Sequence, residues 1–329
     1  MRPARFGRGF THSETTPPIS RRNESASARD TRVHFSAAPH GTPVYHRGNQ
    51  MSNAAPQSGR LSPTEQLQRF VQRIFTAVAL AAYALVMAGI FSDLHLPGKP
   101  GWPEAMLLLV TTVATIAALS RHLPAQNVLL GTAIIAFIGG LAHGVGAATA
   151  IPFGPINFTE NIGPRILDLL GWPMPLLWIV IVLNSRGVAR LILRPWRKLR
   201  TYGFWLIGIT TLLTVLFDAA LEPFAAVVKH YWLWQHTRLP FTWGGAPVTN
   251  FLGWLLTAGL ILAFATPALI DKRIRPMQRP PDYHPLLVWL LGVGLCAAGA
   301  ASHGLWFATG FGIGLMIVTS VFAWRGAKW

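Results

Sequence analysis

The chain has 329 residues, of which 51% are apolar and only 12% charged, about half the charged share of an ordinary soluble domain; its mean hydropathy is +0.39. That composition argues against a soluble globular enzyme. Twenty-eight Lys and Arg against 12 Asp and Glu leave a formal charge of +16, which points to anionic lipid or nucleic acid until the charges are placed along the chain.

Residues 1–60 hold nine Arg and three acids and are rich in Ser, Pro and Gly. They contain no apolar run able to form a signal-peptide core or pack a domain. This segment is expected to be a disordered basic tail, with Met51 as an alternative start. Its composition faintly resembles an organelle transit peptide. Residues 61–329 form the second expected unit, a polytopic membrane domain. Thr64 to Arg73 is expected to be an interfacial lead-in to its first span.

A span needs about 20 mostly apolar residues. Uncharged stretches of that order predict helices near 74–92, 104–121, 127–149, 173–193, 201–221, 250–270, 285–301 and 304–324. The expected fold is an all-α integral membrane bundle of about eight helices, within a range of seven to nine. Lys and Arg between the spans set the orientation. With both termini cytoplasmic, Arg69, Arg73, Arg121, Arg186, Arg190, Arg194, Arg197, Lys198, Arg200, Lys272, Arg273, Arg275, Arg279, Arg325 and Lys328 lie inside. Lys99, Arg165, Lys229 and Arg238 lie outside. Fifteen against four explains the basic charge by topology, and nucleic acid drops out as a partner. A multi-pass protein of a bacterial inner membrane is the expected setting.

The single cysteine, Cys296, lies in an apolar helix; one thiol makes neither an intrachain disulfide nor a cysteine-based metal site, so it reads as a packing residue. No metal site is expected. Gly140 with Gly144, and Gly310 with Gly314, have the four-residue spacing that allows close helix approach. No internal repeat and no phosphate-binding glycine loop stands out.

Ionisable groups at bilayer depth are costly unless paired or solvated, so each is a candidate site. Asp218 and Glu222 are four residues apart, on one face of the fifth helix and towards its outer end. Two adjacent carboxylates in an apolar setting do not both ionise easily, and a protonated one is a competent general acid. His143 and Thr149 on the third helix, Asn250 at the start of the sixth and His303 after the seventh fall at the same level. Glu160, Asp168, His230 and Asn157 come from outer connections. Phe153, Phe158, Tyr231, Trp232, Trp234, Phe241, Trp243 and Trp254 crowd the same region. Such aromatics form an interfacial belt, and their faces also stabilise cations.

Two stretches carry a family resemblance. His143 to Thr159 reads HGVGAATAIPFGPINFT and is followed by IGPRILDLLGWPMPLLW; further on come FDAALEPFAAVVKHYWLWQ and GGAPVTNFLGW. The first resembles the signature E-x-x-G-x-x-T-G-x-x-F-G-x-Y-x-Y-T of carotenoid biosynthesis membrane proteins of the bisanhydrobacterioruberin hydratase and gamma-carotene hydratase type. The second group is similar to that family's F-D-x-x-x-D-P, W-x-W and G-V-P-x-x-N-F-x-G-W. Gly146, Thr149, Phe153, Gly154, Thr159, Gly163 and Pro164 match, as do Asp218, Pro223, Trp232, Trp234, Pro247, Asn250, Phe251, Gly253 and Trp254. His143 stands where the family has Glu, Ala150 replaces Gly, Ile156 and Phe158 replace two Tyr, and Glu222 replaces Asp.

The resemblance implies hydration of the terminal C1=C2 bond of an acyclic carotenoid end group, without a cofactor. Asp218 or Glu222 would be the acid, the other carboxylate or His143 would orient water, and Asn250 would hold the water or the acid. Phe153, Thr149, Phe158, Trp232, Trp234 and Trp254 would line the substrate. The implied partners are an acyclic carotenoid or related polyisoprenoid, water, membrane lipid and other membrane enzymes of the pathway. A proton-coupled carrier and a non-catalytic carotenoid-binding protein are the alternative readings.

Overall fold

The computed structural model describes residues 63–92, 101–235, 241–270 and 280–329. The expected basic tail with Met51 lies outside the described residues, as do Lys99, Arg238, Lys272, Arg273, Arg275 and Arg279. Eight helices follow in order: α1 (Pro63–Phe91), α2 (Trp102–Ser120), α3 (Ala125–Thr149), α4 (Met174–Ile192), α5 (Tyr202–Glu222), α6 (Val248–Ala265), α7 (His284–Ser302) and α8 (Trp306–Ala327). Among the described residues all eight are long and apolar enough to cross a membrane. The chain is therefore a polytopic helical membrane protein, as its uncharged stretches predict.

Proline marks the helix starts. Pro103, Pro175 and Pro285 occupy the first turns of α2, α4 and α7, where an N–H has no intrahelical acceptor to lose. Pro124 and Pro247 directly precede α3 and α6. The interfacial lead-in is not a separate element, because α1 runs through it without a break from Pro63.

At the centre stands α4, packed against α2, α3, α5, α7 and α8, with thirteen of its nineteen residues buried. Its buried polar groups are tied to neighbouring helices. Asn184 Nδ2 donates to Thr115 Oγ1 (3.1 Å), Trp289 Nε1 donates to Ser185 Oγ (3.1 Å), and Arg186 Nη2 donates to the Leu269 carbonyl (2.9 Å). Arg186 thus belongs to the bundle interior as well as to the basic end of α4. At the opposite extreme, α1 lies at the periphery, where Val86 is its one buried side chain among those described.

The glycine spacing is a poor guide to contacts. Gly140 meets Pro175, but Gly144, Gly310 and Gly314 face open space. Close approaches occur elsewhere, at Gly139 under the Trp178 ring and Gly299 under Phe224, where an added Cβ would lie 2.3 Å from ring carbons. A large aromatic on the facing helix decides the contact, not the period of four.

The α3–α4, α5–α6 and α7–α8 connections share one end of the bundle. Three short antiparallel pairs form there: β1 (Ile156–Phe158) with β4 (Trp232–Trp234), β2 (Arg165–Ile166) with β3 (Leu170–Gly171), and β5 (Thr242–Trp243) with β6 (Ala246–Pro247). At the other, basic end, His122 Nε2 lies 3.0 Å from Asp282 Oδ2, and the His284 backbone N–H donates to Asp282 Oδ1 (3.1 Å). Burial opposes ionisation of Asp282, yet these bonds and the adjacent imidazoles hold its carboxyl below the ordinary range. A depressed folded value means that the stabilisation is complete above the unfolded value of about 3.9 and disappears as pH falls through the folded one. Asp282→Asn should cost about 1 kcal/mol at neutral pH and flatten the acid-side loss of thermal stability in detergent. An unchanged acid-side slope would show that this pair is not its source.

Candidate active site

The strand end is shaped by how α5 finishes. Pro223 lacks an N–H, and from Pro223 to Val228 the helix widens into a π-helical turn. His230 then reverses the chain at φ +50°. Thr159 receives the reversed segment, its hydroxyl 2.5 Å from the His230 carbonyl and its backbone N–H donating to the Tyr231 carbonyl (3.0 Å). This sets β4 against β1 in the register Ile156 opposite Trp234, Asn157 opposite Leu233 and Phe158 opposite Trp232. Side chains alternate across a strand, so Asn157 and Leu233 are exposed while Ile156, Phe158 and Trp232 are buried.

That register aims two indoles at one carboxylate. Trp232 Nε1 (3.1 Å) and Trp234 Nε1 (3.0 Å) both donate to Glu222 Oε2. From the first turn of α6, Asn250 Nδ2 donates to Glu222 Oε1 (3.0 Å) and to Asp218 Oδ2 (2.8 Å). Asp218, Glu222 and Asn250 are 0%, 1% and 1% exposed. Asp218 Oδ1 is also buried and has no hydrogen-bond partner among the described residues. Glu222 therefore accepts from three N–H groups, and Asp218 from one.

A second cluster lies beside the first. The His143 ring stands 4.1 Å from Phe153, 5.6 Å from Trp178 and 5.5 Å from Trp254, and its Nδ1 accepts from Trp178 Nε1 (3.0 Å). Trp178 and Trp254 stack at 4.0 Å. Phe153 is gripped between Gly146 and Gly253, where a Cβ would come within 2.8 and 2.6 Å of its ring. Only glycine allows that approach, which accounts for two matched motif positions. One helical turn, from Asn250 to Trp254 on α6, links the two clusters.

The structure thus gathers Asp218, Glu222, Asn250, Trp232 and Trp234 into one hydrogen-bonded group, with Phe158 edge-on to Trp232 at 6.1 Å. It places His143, Phe153 and Trp254 in the neighbouring aromatic group. Thr149 stands apart, exposed, its hydroxyl donating to the Val145 carbonyl of its own helix (2.7 Å). Asp168 lies on an exposed turn at φ +57°, and His303 follows the last turn of α7.

Other residues emerge only from the fold. The Lys229 ammonium pairs with Glu104 of α2. Burial, and then the Glu104 charge, push the Tyr231 phenol well above its ordinary range. Glu104, the only acid of the second span, was the available signal. A narrow apolar cavity of about 160 Å³ runs between α1, α2, α4, α5 and α7, reaching Phe217, Leu221, Trp232 and Cys296 beside the carboxylates. Cys296 is therefore a wall residue of this cavity. A polar cavity of about 730 Å³ opens at the basic end among Arg186, Arg190 and Arg197, away from both carboxylates.

Residues 103–319 match the family described as carotenoid biosynthesis protein. The chain belongs to that family. Over 203 residues it is 26% identical to a bisanhydrobacterioruberin hydratase of Haloarcula japonica, a stretch that covers 60% of this chain and 66%, just under two thirds, of that relative's length. No solved structure matches. The family match takes in α3 to α7 whole, and with them every member of both clusters.

Asn250 is the joint of the carboxylate group. Asn250→Leu keeps its bulk but leaves two buried carboxyls without their shared donor, and should lower stability by about 2 kcal/mol. Asn157→Leu, on the exposed face of β1, should have little effect. Thermal unfolding of both in detergent checks this, and equal midpoints would deny the bridge its role.

Proposed function

We propose that this protein is a carotenoid hydratase, adding water across the terminal C1=C2 bond of an acyclic end group, with Asp218 as the proton donor. The observation that carries this is the unequal provision of donors to two buried carboxyls. Three N–H donors around Glu222 suit a carboxylate, which only accepts. Asp218 Oδ1, with no donor facing it, suits the O–H of the neutral acid. Like charges so close repel in a low-dielectric interior, so the pair holds one proton between them.

Hydration then needs only a proton and water. The π electrons of C1=C2 take the proton of Asp218 at C2, leaving a tertiary cation at C1 and an aspartate. A water lone pair closes the C1–O bond, and the proton released from that water returns to the carboxyl pair, which regains its starting charge. Aromatic faces of Trp232 and Trp234 stabilise the cation in passing, and the buried setting keeps stray water from it. Asn250 holds both carboxyls in place throughout and is a positioning residue. In this reading the enclosure by Phe153, Trp178 and Trp254 makes His143 a packing partner of the site, not the group that orients water.

The reading extends to orientation. The basic end faces the cytoplasm of a bacterial inner membrane and the carboxylates lie towards the opposite interface, where the end group of a membrane-spanning pigment meets water. The hydratase name of the Haloarcula relative supports the reaction type.

Expression in a host that accumulates lycopene should add one water per modified end, read by pigment mass. Asp218→Asn should reduce turnover about 100-fold or more and Glu222→Gln by a smaller factor. Unchanged pigment across several acyclic carotenoids would count against hydration and favour a non-catalytic binding protein. Full turnover in both variants would remove the carboxyls from the mechanism.

A further inference from the structure

The apolar slot beside the carboxylates reaches far beyond the reacting bond. Along α7 it runs from Cys296 back to His284, and along α2 from Glu104 to Ala114. The twelve steps of α7 from His284 to Cys296, at about 1.5 Å each, make it about 18 Å long, more than half of a hydrocarbon core of about 30 Å. Polar groups close its two extremes. Glu104 and Tyr231 stand at the strand end, and at the other end Thr76 Oγ1 lies 3.2 Å from His284 Nε2. Between them the wall is chiefly aliphatic.

The geometry points to this slot as the seat of a linear polyisoprenoid chain, lying along α2 and α7 with its reacting end against Phe217, Leu221 and Trp232. The inference rests on the hydration reading for the identity of that end, and three observations carry it. First, the slot borders the acid pair through a shared wall: Trp232 both lines the slot and donates to Glu222. Second, its shape selects a class. A narrow apolar passage longer than one leaflet suits a linear conjugated chain better than a cyclised or compact hydrophobe. Third, one wall comes from the outermost helix. At about 160 Å³ the slot is tighter than a long polyene requires, and Thr76, Ala79, Leu80 and Tyr83 of its wall come from α1, the peripheral helix. Outward displacement of α1 supplies the width and a lateral entrance from lipid, so the substrate never has to leave the bilayer.

The test uses the full chain in lipid nanodiscs with Asp218→Asn, which keeps substrate unconsumed, and lycopene as probe. Lycopene is achiral, so a visible circular dichroism band arises only from pigment held by protein, not from pigment dissolved in lipid. Leu108→Trp and Leu291→Trp fill the slot from α2 and α7 and should weaken that band about tenfold or more, whereas Leu256→Trp, exposed on α6, should leave it intact. If a Trp variant fails to fold, Leu108→Phe and Leu291→Phe carry the same comparison with less added bulk. With Asp218 restored, the slot variants should still hydrate a ten-carbon alkene bearing the same end group. Absence of the band in the parent protein, or its persistence in the filled variants, overturns the slot. Loss of the band in filled variants, with neither lycopene nor the short alkene hydrated by the unmodified protein, upholds the slot and overturns the hydration reading.

Discussion

One side-chain amide holds the strand end together. Asn250 donates from a single nitrogen to Asp218 and to Glu222, two carboxyls a helical turn apart that are buried as completely as any leucine in the core. A buried carboxyl without a donor costs several kcal/mol in such surroundings, so α5 and α6 are constrained to meet at this height and in this rotation. The rest of the strand end serves the same requirement. The π-helical turn after Pro223 brings the chain round, Thr159 catches it, and the β1–β4 register turns two indole N–H groups onto the remaining oxygen of Glu222.

The result is asymmetric. Glu222 is surrounded by donors and Asp218 is not, although the two differ by one methylene and sit on the same helix face. The shared amide serves both alike, and it is the two indole donors on Glu222 alone that make carboxyls of one residue class unequal. The same economy appears in the aromatic residues. Trp232 and Trp234 donate their N–H groups to Glu222, whereas Trp178 and Trp254 stack to wall in His143, so the aromatics at this end divide into two structural groups.

Burial is uneven across the bundle, and the unevenness has direction. α4 is tied to five neighbours and carries internal polar bonds from Asn184, Ser185 and Arg186, which makes it the fixed post. α1 rests on α2 and α7 and buries little of itself. The apolar slot lies between these two extremes, with side chains of both α4 and α1 in its wall.

The amino-acid sequence by itself determined the eight spans, because a run of about 20 uncharged residues has one stable way to satisfy its backbone in lipid. It also determined that Asp218 and Glu222 share a helix face, since a spacing of four is a local property of the helix, and the motifs around Asn250 and Trp232 to Trp234 marked the segments that meet them. Contacts between helices were another matter. The spacing of Gly140 with Gly144 and of Gly310 with Gly314 is as regular as any in the chain, yet three of these four glycines face open space. Only the tertiary structure decided which indole donates to which oxygen, that His143 belongs to an aromatic enclosure, that Glu104 pairs with Lys229, and that Cys296 borders a slot beside the carboxyls. Those facts depend on the relative rotation of helices far apart in the chain, and rotation is set by the sum of all packing contacts, which no local pattern of residues records.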